Sequence, residues 1–264
     1  MLYKFNDNIF KLEVPFAGIY TSVFFIKVEG GYVIVDTGTT ASDVNNYIVS
    51  ALGELGISTD GILGILLTHS HGDHAGGLSA LASLCPNATV YGMRDSNASA
   101  GSNVYVGVSD CDIIAKYIRV VAIKGHDTDT CGYFDTRSKT LISGDSIQIH
   151  GIALWGCQVR HIDDYLASMK KLRGLDIENI LVSHEYCPSG AYALGFDASQ
   201  KYIEDSIAAL ETLVSFTQRL YNQGVTDVNE IQTQYVQLMK ATYPEFPTKG
   251  FDTAIKAVIL QKLN

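Results

Sequence analysis

The chain has 264 residues, 28 acidic against 19 basic side chains for a formal net charge of −9, and 47% hydrophobic residues. That length and apolar content suit one large α/β domain with a helical appendage and a substantial core, and they argue against disorder. The acidic balance, with no Lys/Arg cluster, argues against a nucleic-acid partner, and no apolar run approaches the roughly 20 residues that span a bilayer.

Residues 1–15 interrupt their apolar positions with Lys4, Asp7, Lys11 and Glu13 and offer no secretory core. The cysteines Cys85, Cys111, Cys131, Cys157 and Cys187 are widely spaced, contain no CxxC pair and fit reduced thiols, so a cytoplasmic location is expected. Apolar patterning then predicts strands over 5–14, 22–28 and 32–36, a helix over 40–55, a strand over 62–68, a helix over 78–85 and a strand over 89–92. A second pass follows, with strands over 118–123, 132–135 and 140–143, a helix near 163–172 and a strand over 180–183. Periodicity alone says mixed α/β.

Between the run Gly61-Ile62-Leu63-Gly64-Ile65-Leu66-Leu67 and the helix from Leu78 lies Thr68-His69-Ser70-His71-Gly72-Asp73-His74-Ala75-Gly76-Gly77. Four metal-ligand side chains fall within six positions of a strand-to-helix loop. Imidazoles with a carboxylate are the donor set for zinc or another borderline divalent metal, whereas clustered solvated histidines gain little unless a cation binds them. Other strand ends carry isolated polar residues: Val33-Ile34-Val35-Asp36-Thr37-Gly38, Gly125-His126 after a strand, Leu141-Ile142-Ser143-Gly144-Asp145, and Ile180-Leu181-Val182-Ser183-His184. Each is weak singly.

In this order, with HxHxDH matched at every fixed position, they resemble the five motifs of the metallo-β-lactamase superfamily over roughly residues 1–195. The resemblance implies a four-layer αββα sandwich over 1–195, with a helical extension over 196–264 packed on the same domain. It also implies a site for two divalent ions, zinc first, with iron or manganese open. His69, His71 and His126 would hold one ion, and Asp73, His74, Asp145 and His184 the other, with Asp145 bridging. A hydroxide between the ions would be the nucleophile, with Asp73 and Asp36 as catalytic carboxylates, Asp36 accepting a hydrogen bond from a ligand imidazole or a loop amide.

Two departures bear on the substrate. Where members often carry His-Thr-Pro-Gly-Ser, this chain has His126-Asp127-Thr128-Asp129-Thr130-Cys131-Gly132, leaving Asp127 and Asp129 as either solvated turn residues or supports for the ligands. Asp145 stands where the common zinc β-lactamases use Cys, so antibiotic hydrolysis is not the default. Cys131 and Cys187 either face the pocket or serve as small buried hydrophobes.

Helices are expected over 197–221, 227–243 and 250–263, broken at Gly224 and at Pro244-Glu245-Phe246-Pro247. Tyr202, Ile203, Ile207, Leu210, Leu213, Val214 and Leu220 share one helix face, which reads as core before substrate wall. His184-Glu185-Tyr186 resembles the last ligand segment of the glyoxalase II branch, whose basic glutathione-binding residues have no counterpart located here. The segment 146–162, with Gln148, His150, Trp155, Arg160 and His161, is a possible pocket wall, so Trp155, Tyr186 and His150 are the candidate substrate contacts. The expected activity is metal-dependent hydrolysis of a small-molecule ester, thioester or lactone. The alternatives are a phosphodiesterase or β-lactamase and, from another class, an iron-binding redox, dioxygenase or sensing protein.

Overall fold

The computed structural model describes residues 1–96, 98, 103–152 and 155–263. Residues 153 and 154 of the segment 146–162, and residue 264 of the C-terminal region, lie outside the described residues. The fold is mixed α/β, its strands falling into two sheets. The chain forms two compact units, Met1–Ala122 with Asp129–Arg137, and Ile123–Thr128 with Ser138–Asn264.

In the first unit β1 (Leu2–Lys4), β2 (Ile9–Phe16), β3 (Ile19–Val28), β4 (Gly31–Val35), β5 (Ile62–Leu66), β6 (Thr89–Met93) and β7 (Tyr105–Val108) lie side by side in chain order. Pairing is antiparallel up to β4 and parallel from β4 to β7, with Val35 opposite Leu66 and Leu66 opposite Tyr91. The middle strands are buried on both faces, which is why they read as continuous apolar runs. Where the sequence predicts one helix over 40–55, the structure has α1 (Ala41–Asp43), a π-helical turn over Val44–Ile48 and α2 (Val49–Glu54). Thr40 caps this segment reciprocally with Asp43. After α3 (Gly72–Ala75), α4 (Leu78–Leu84) buries Leu78 and Leu81 with Val44, Ile48, Phe25 and Ile34. A meander of β8 (Ile113–Ile114), β9 (Ile118–Ala122) and β10 (Cys131–Asp135) completes the unit.

In the second unit β11 (Thr140–Ile142) pairs in parallel with β12 (Asn179–Tyr186), which pairs antiparallel with β13 (Gly190–Leu194). Its helices are α5 (Ile162–Arg173), α6 (Phe196–Asn222), α7 (Val228–Lys240) and α8 (Asp252–Val258), the last running into a π turn over Ile259–Leu263. The boundary expected after Gly195 falls inside this unit, because α6 packs on β12, β13 and α5. Tyr202, Ile203, Leu210, Leu213 and Leu220 are buried as core, while Ile207 and Val214 are half-buried. Tyr235, Phe246 and Phe251 close the helical layer, with Phe246 and Phe251 stacked at 5.2 Å. Among the described residues no helix is long and apolar enough to cross a membrane.

Candidate metal centre

Parallel strands bring their carboxyl ends to one edge, the usual location of sites in α/β sheets. In the first unit β4 and β5 do this for Asp36 and Thr68. The Asp36 amide extends the ladder by donating to the Leu66 carbonyl at 2.9 Å. The chain then turns sharply, Asp36 taking φ +63°, a left-handed conformation that a short polar side chain tolerates when local hydrogen bonds hold it. Its buried carboxylate accepts from the Thr68 amide at 2.8 Å and from the Thr68 hydroxyl at 2.8 Å.

Those bonds settle two imidazole tautomers. His74 Nδ1 lies 2.8 Å from Asp36 Oδ2, and a carboxylate can only accept, so Nδ1 carries a proton. The Thr68 hydroxyl spends its proton on Asp36, so its oxygen accepts from His69 Nδ1 at 3.0 Å. One buried carboxylate thus fixes His74 directly and His69 through a hydroxyl relay. In the neutral rings the lone pair stands on Nε2. This is the arrangement that orients metal-ligating histidines.

His71 caps α3, whose first turn carries Asp73 and His74. The His69 ring lies 4.6 Å from that of His71 and 4.2 Å from that of His74. Asp73 Oδ2 accepts from the Thr21 hydroxyl of β3 at 3.0 Å and stands 3.3 Å from His74 Nε2. Those two atoms lie close enough together to serve as ligands of one cation. The tight return of the chain requires Gly76 and Gly77, since a Cβ on Gly77 would meet the Thr37 carbonyl oxygen at 2.3 Å.

The second unit repeats the device. The Ser143 amide donates to the Leu181 carbonyl at 3.0 Å and the Ser183 amide to the Gly144 carbonyl at 3.2 Å, setting Asp145 and His184 beside each other after β11 and on β12. His184 Nε2 lies 3.3 Å from Asp145 Oδ1, and His126 Nε2 lies 3.9 Å from Asp145 Oδ2. His126 Nδ1 is 2.6 Å from the Gln158 carbonyl oxygen, which fixes its proton there. The Gln148 amide nitrogen, 3.0 Å from the same Nδ1, donates instead to the Asp145 carbonyl at 2.9 Å. Asp145, His126 and His184 are all buried. Each unit therefore assembles its own donors: His69, His71, Asp73 and His74 in one, His126, Asp145 and His184 in the other.

Thr21 and Gln158 escape a reading of the sequence. Gln148, which the sequence places in a possible pocket wall, holds the Asp145 carbonyl and accepts from the Gln158 amide at 2.8 Å. Asp127 pairs with Arg160 at 3.5 Å at the surface, while Asp129 is buried rather than a solvated turn residue. Burial pushes the Cys131 thiol up to about 12, and its Sγ packs at 3.6 Å from the Leu67 carbonyl oxygen, so it behaves as a small hydrophobe. Cys187 is half-buried, its thiol also raised by burial. Tyr186 is fully buried, its phenol pushed well up by burial and then by the negative charge of Asp145, and its ring stands edge-on to His184 at 6.2 Å. His150 is buried as well, whereas Trp155 is 42% exposed.

Residues 17–106 match the family model of the metallo-beta-lactamase superfamily. A hydroxyacylglutathione hydrolase of Francisella philomiragia is 30% identical over 154 residues, 55% of this chain and 60% of that protein. An atrochrysone carboxyl ACP thioesterase of Claviceps purpurea is 24% identical over 152 residues, 58% of this chain and 46% of that protein. The matched regions span about three-fifths of the length of the first curated relatives. The crystal structure of a metallo-beta-lactamase family protein from Thermus thermophilus superposes with a TM-score of 0.70 at 15% identity, over 97% of this chain and 93% of that one.

Proposed function

We propose that this chain, a protein of metallo-β-lactamase fold whose residues 17–106 match that superfamily, is a metal-dependent hydrolase of small-molecule esters, thioesters or lactones. The observation that carries the reading is the fixing of three imidazoles, His69, His74 and His126, by acceptors at Nδ1. A core has no use for three such rings, and a metal site does. In this reading His69, His71 and His126 would hold one ion and Asp73, His74 and His184 the other, with Asp145 as a further carboxylate donor.

When bound, the ions would lower the pKa of a water toward roughly 7 and polarise the substrate's carbonyl. The protein's own groups do the rest. Asp36 keeps His74 and His69 in the ligating tautomer. Asp73, steadied by Thr21, takes the proton of the attacking water and delivers it to the leaving group. Acyl substrates are favoured by the names of the relatives, a hydroxyacylglutathione hydrolase and a thioesterase.

The test is one hydrolysis screen of metal-loaded protein over p-nitrophenyl esters, thioesters, lactones, nitrocefin and bis(p-nitrophenyl) phosphate. Turnover of an ester, thioester or lactone above the other two supports the reading, and a preference for the phosphodiester refutes it.

A further inference from the structure

His126 stands on no helix or strand. In the second unit its Nδ1 donates to the Gln158 carbonyl at 2.6 Å, and the preceding Gly125 carbonyl accepts from the Arg160 and His161 amides at 2.9 Å each. The ring is thus held by a strap, residues 155–162, which contributes none of the proposed metal donors. A segment without a backbone ladder keeps its place only if its polar groups are fastened elsewhere.

Three fastenings do this. Gln148 Oε1 accepts from the Gln158 amide at 2.8 Å, and the Tyr165 hydroxyl bonds both the amide and the carbonyl of Gln148 at 2.8 Å. The Gln158 side chain donates to the Trp155 carbonyl at 2.7 Å and to the Gly250 carbonyl at 2.8 Å. At the far end of the strap Gln261 takes two partners, its Oε1 accepting from the Ile162 amide at 3.0 Å and its Nε2 donating to the Arg160 carbonyl at 2.7 Å.

Gly250 and Gln261 lie on either side of α8, far along the chain from the residues they fasten. The first contact is tight: Gly156 and Gly250 both take positive φ, and a Cβ on Gly156 would meet the Gly250 carbonyl oxygen at 2.5 Å. Only residues without side chains let two backbones approach so closely. Phe251 anchors this segment in the helical layer, its amide donating to Gln232 Oε1 at 2.8 Å and its ring stacking on Phe246.

We infer that the segment from Gly250 to Gln261, which supplies no metal donor, is a clamp for His126. Gln158 and Gln261 are positioning residues through which the docking of α8 sets the orientation of that imidazole. The inference rests on His126 being a metal ligand and deepens that reading, since retention of its ion then depends on the C-terminal helix.

The experiment follows the imidazole nitrogen resonances of the full chain before and during titration with zinc, His126 being identified by its disappearance in His126→Ala. Gln158→Leu keeps the backbone carbonyl that holds His126 and loses both side-chain bonds. Its His126 Nδ1 proton is expected to shift and to exchange with water about tenfold faster or more. Zinc should be held about ten- to a hundredfold more weakly, the usual effect of freeing a ligand from the group that orients it. Should that variant fail to fold, Gln261→Leu decides the matter, because its side chain is exposed and its loss should move the same signal in the same direction. Leu220→Val, buried in α6 and outside these bonds, should lower the urea midpoint while leaving the His126 signal in place. The clamp is overturned if both glutamine variants leave the His126 signal and its exchange as in the parent, or if Leu220→Val moves them equally. A signal that responds while zinc affinity stays fixed upholds the clamp and removes His126 from the metal reading.

Discussion

His74 donates through Nδ1 to Oδ2 of Asp36 at 2.8 Å, both side chains fully excluded from solvent. One carboxylate therefore sets the tautomer of a histidine 38 residues away in sequence, and through Thr68 that of His69 as well.

Asp36→Asn keeps a side chain that tolerates the left-handed backbone but removes the charge that holds both rings. Metal affinity and kcat/KM should each fall by about ten- to a hundredfold, the usual effect of losing a group that orients ligands. His71→Ala, which deletes a donor, should lose metal and activity outright. Metal content after dialysis, measured with kcat/KM, separates the two, and equal negligible effects would show that neither residue serves the site.

Gly77→Ala places a Cβ 2.3 Å from the Thr37 carbonyl oxygen and 2.7 Å from Val44 Cγ2. Backbone cannot yield as a side-chain tip does, so a stability loss of about 1 to 3 kcal/mol is expected from overpacking. Urea denaturation measures it. A midpoint equal to that of the unsubstituted protein would mean the loop is looser than its geometry implies.

His150 is neutral when folded, with its pKa lowered to about 4 by burial, partly opposed by Asp205, from the ordinary 6.5. The unfolded chain therefore binds the extra proton first as pH falls. The stabilisation is present above about 6.5 and is lost progressively as pH falls toward 4, amounting to at most about 3 kcal/mol. Lys201, Asp205 and Tyr243 line the same surface groove as His150, so the difference between the parent and His150→Phe isolates the contribution. The stability of the parent relative to His150→Phe should fall by up to that amount as pH drops from 6.5 to 4. Parallel curves across that window contradict the assignment.

Much of the fold and the donor set is legible because strand ends and ligands coincide. Val33 to Val35 and Ile62 to Leu66 are apolar runs that stop where Asp36 and the HxHxDH loop begin, and the stop is itself the signal. The strands Leu2–Lys4, Tyr105–Val108 and Gly190–Leu194 are not legible in this way. They are short, and Gly190-Ala191-Tyr192-Ala193-Leu194 lacks β-branched residues. Its place is fixed by pairing with β12, a tertiary effect no local pattern records. Thr21 is invisible for a similar reason: only the fold brings it to Asp73, 52 positions away. Trp155, a candidate substrate contact in the possible pocket wall, is 42% exposed, a property that a loop sequence does not record.

The C-terminal helices belong to the same compact unit as His184, and the cavity lined by Tyr186, Cys187, Pro188, Tyr243 and Pro244 is largely apolar. Esters and thioesters with apolar acyl chains are therefore expected to outperform nitrocefin and bis(p-nitrophenyl) phosphate. Pro244→Glu should raise KM for the acyl substrates with metal content unchanged. An unmoved KM for every substrate would reduce these helices to packing.

The most direct test of metal-dependent hydrolysis is the rate of thioester cleavage by chelator-stripped protein titrated with zinc, metal content being followed in parallel. The account predicts a rate near background without metal that rises to a plateau at two equivalents per chain. Cleavage that proceeds equally in the stripped protein, or a chain that retains a single iron and consumes oxygen without cleaving the thioester, would contradict it.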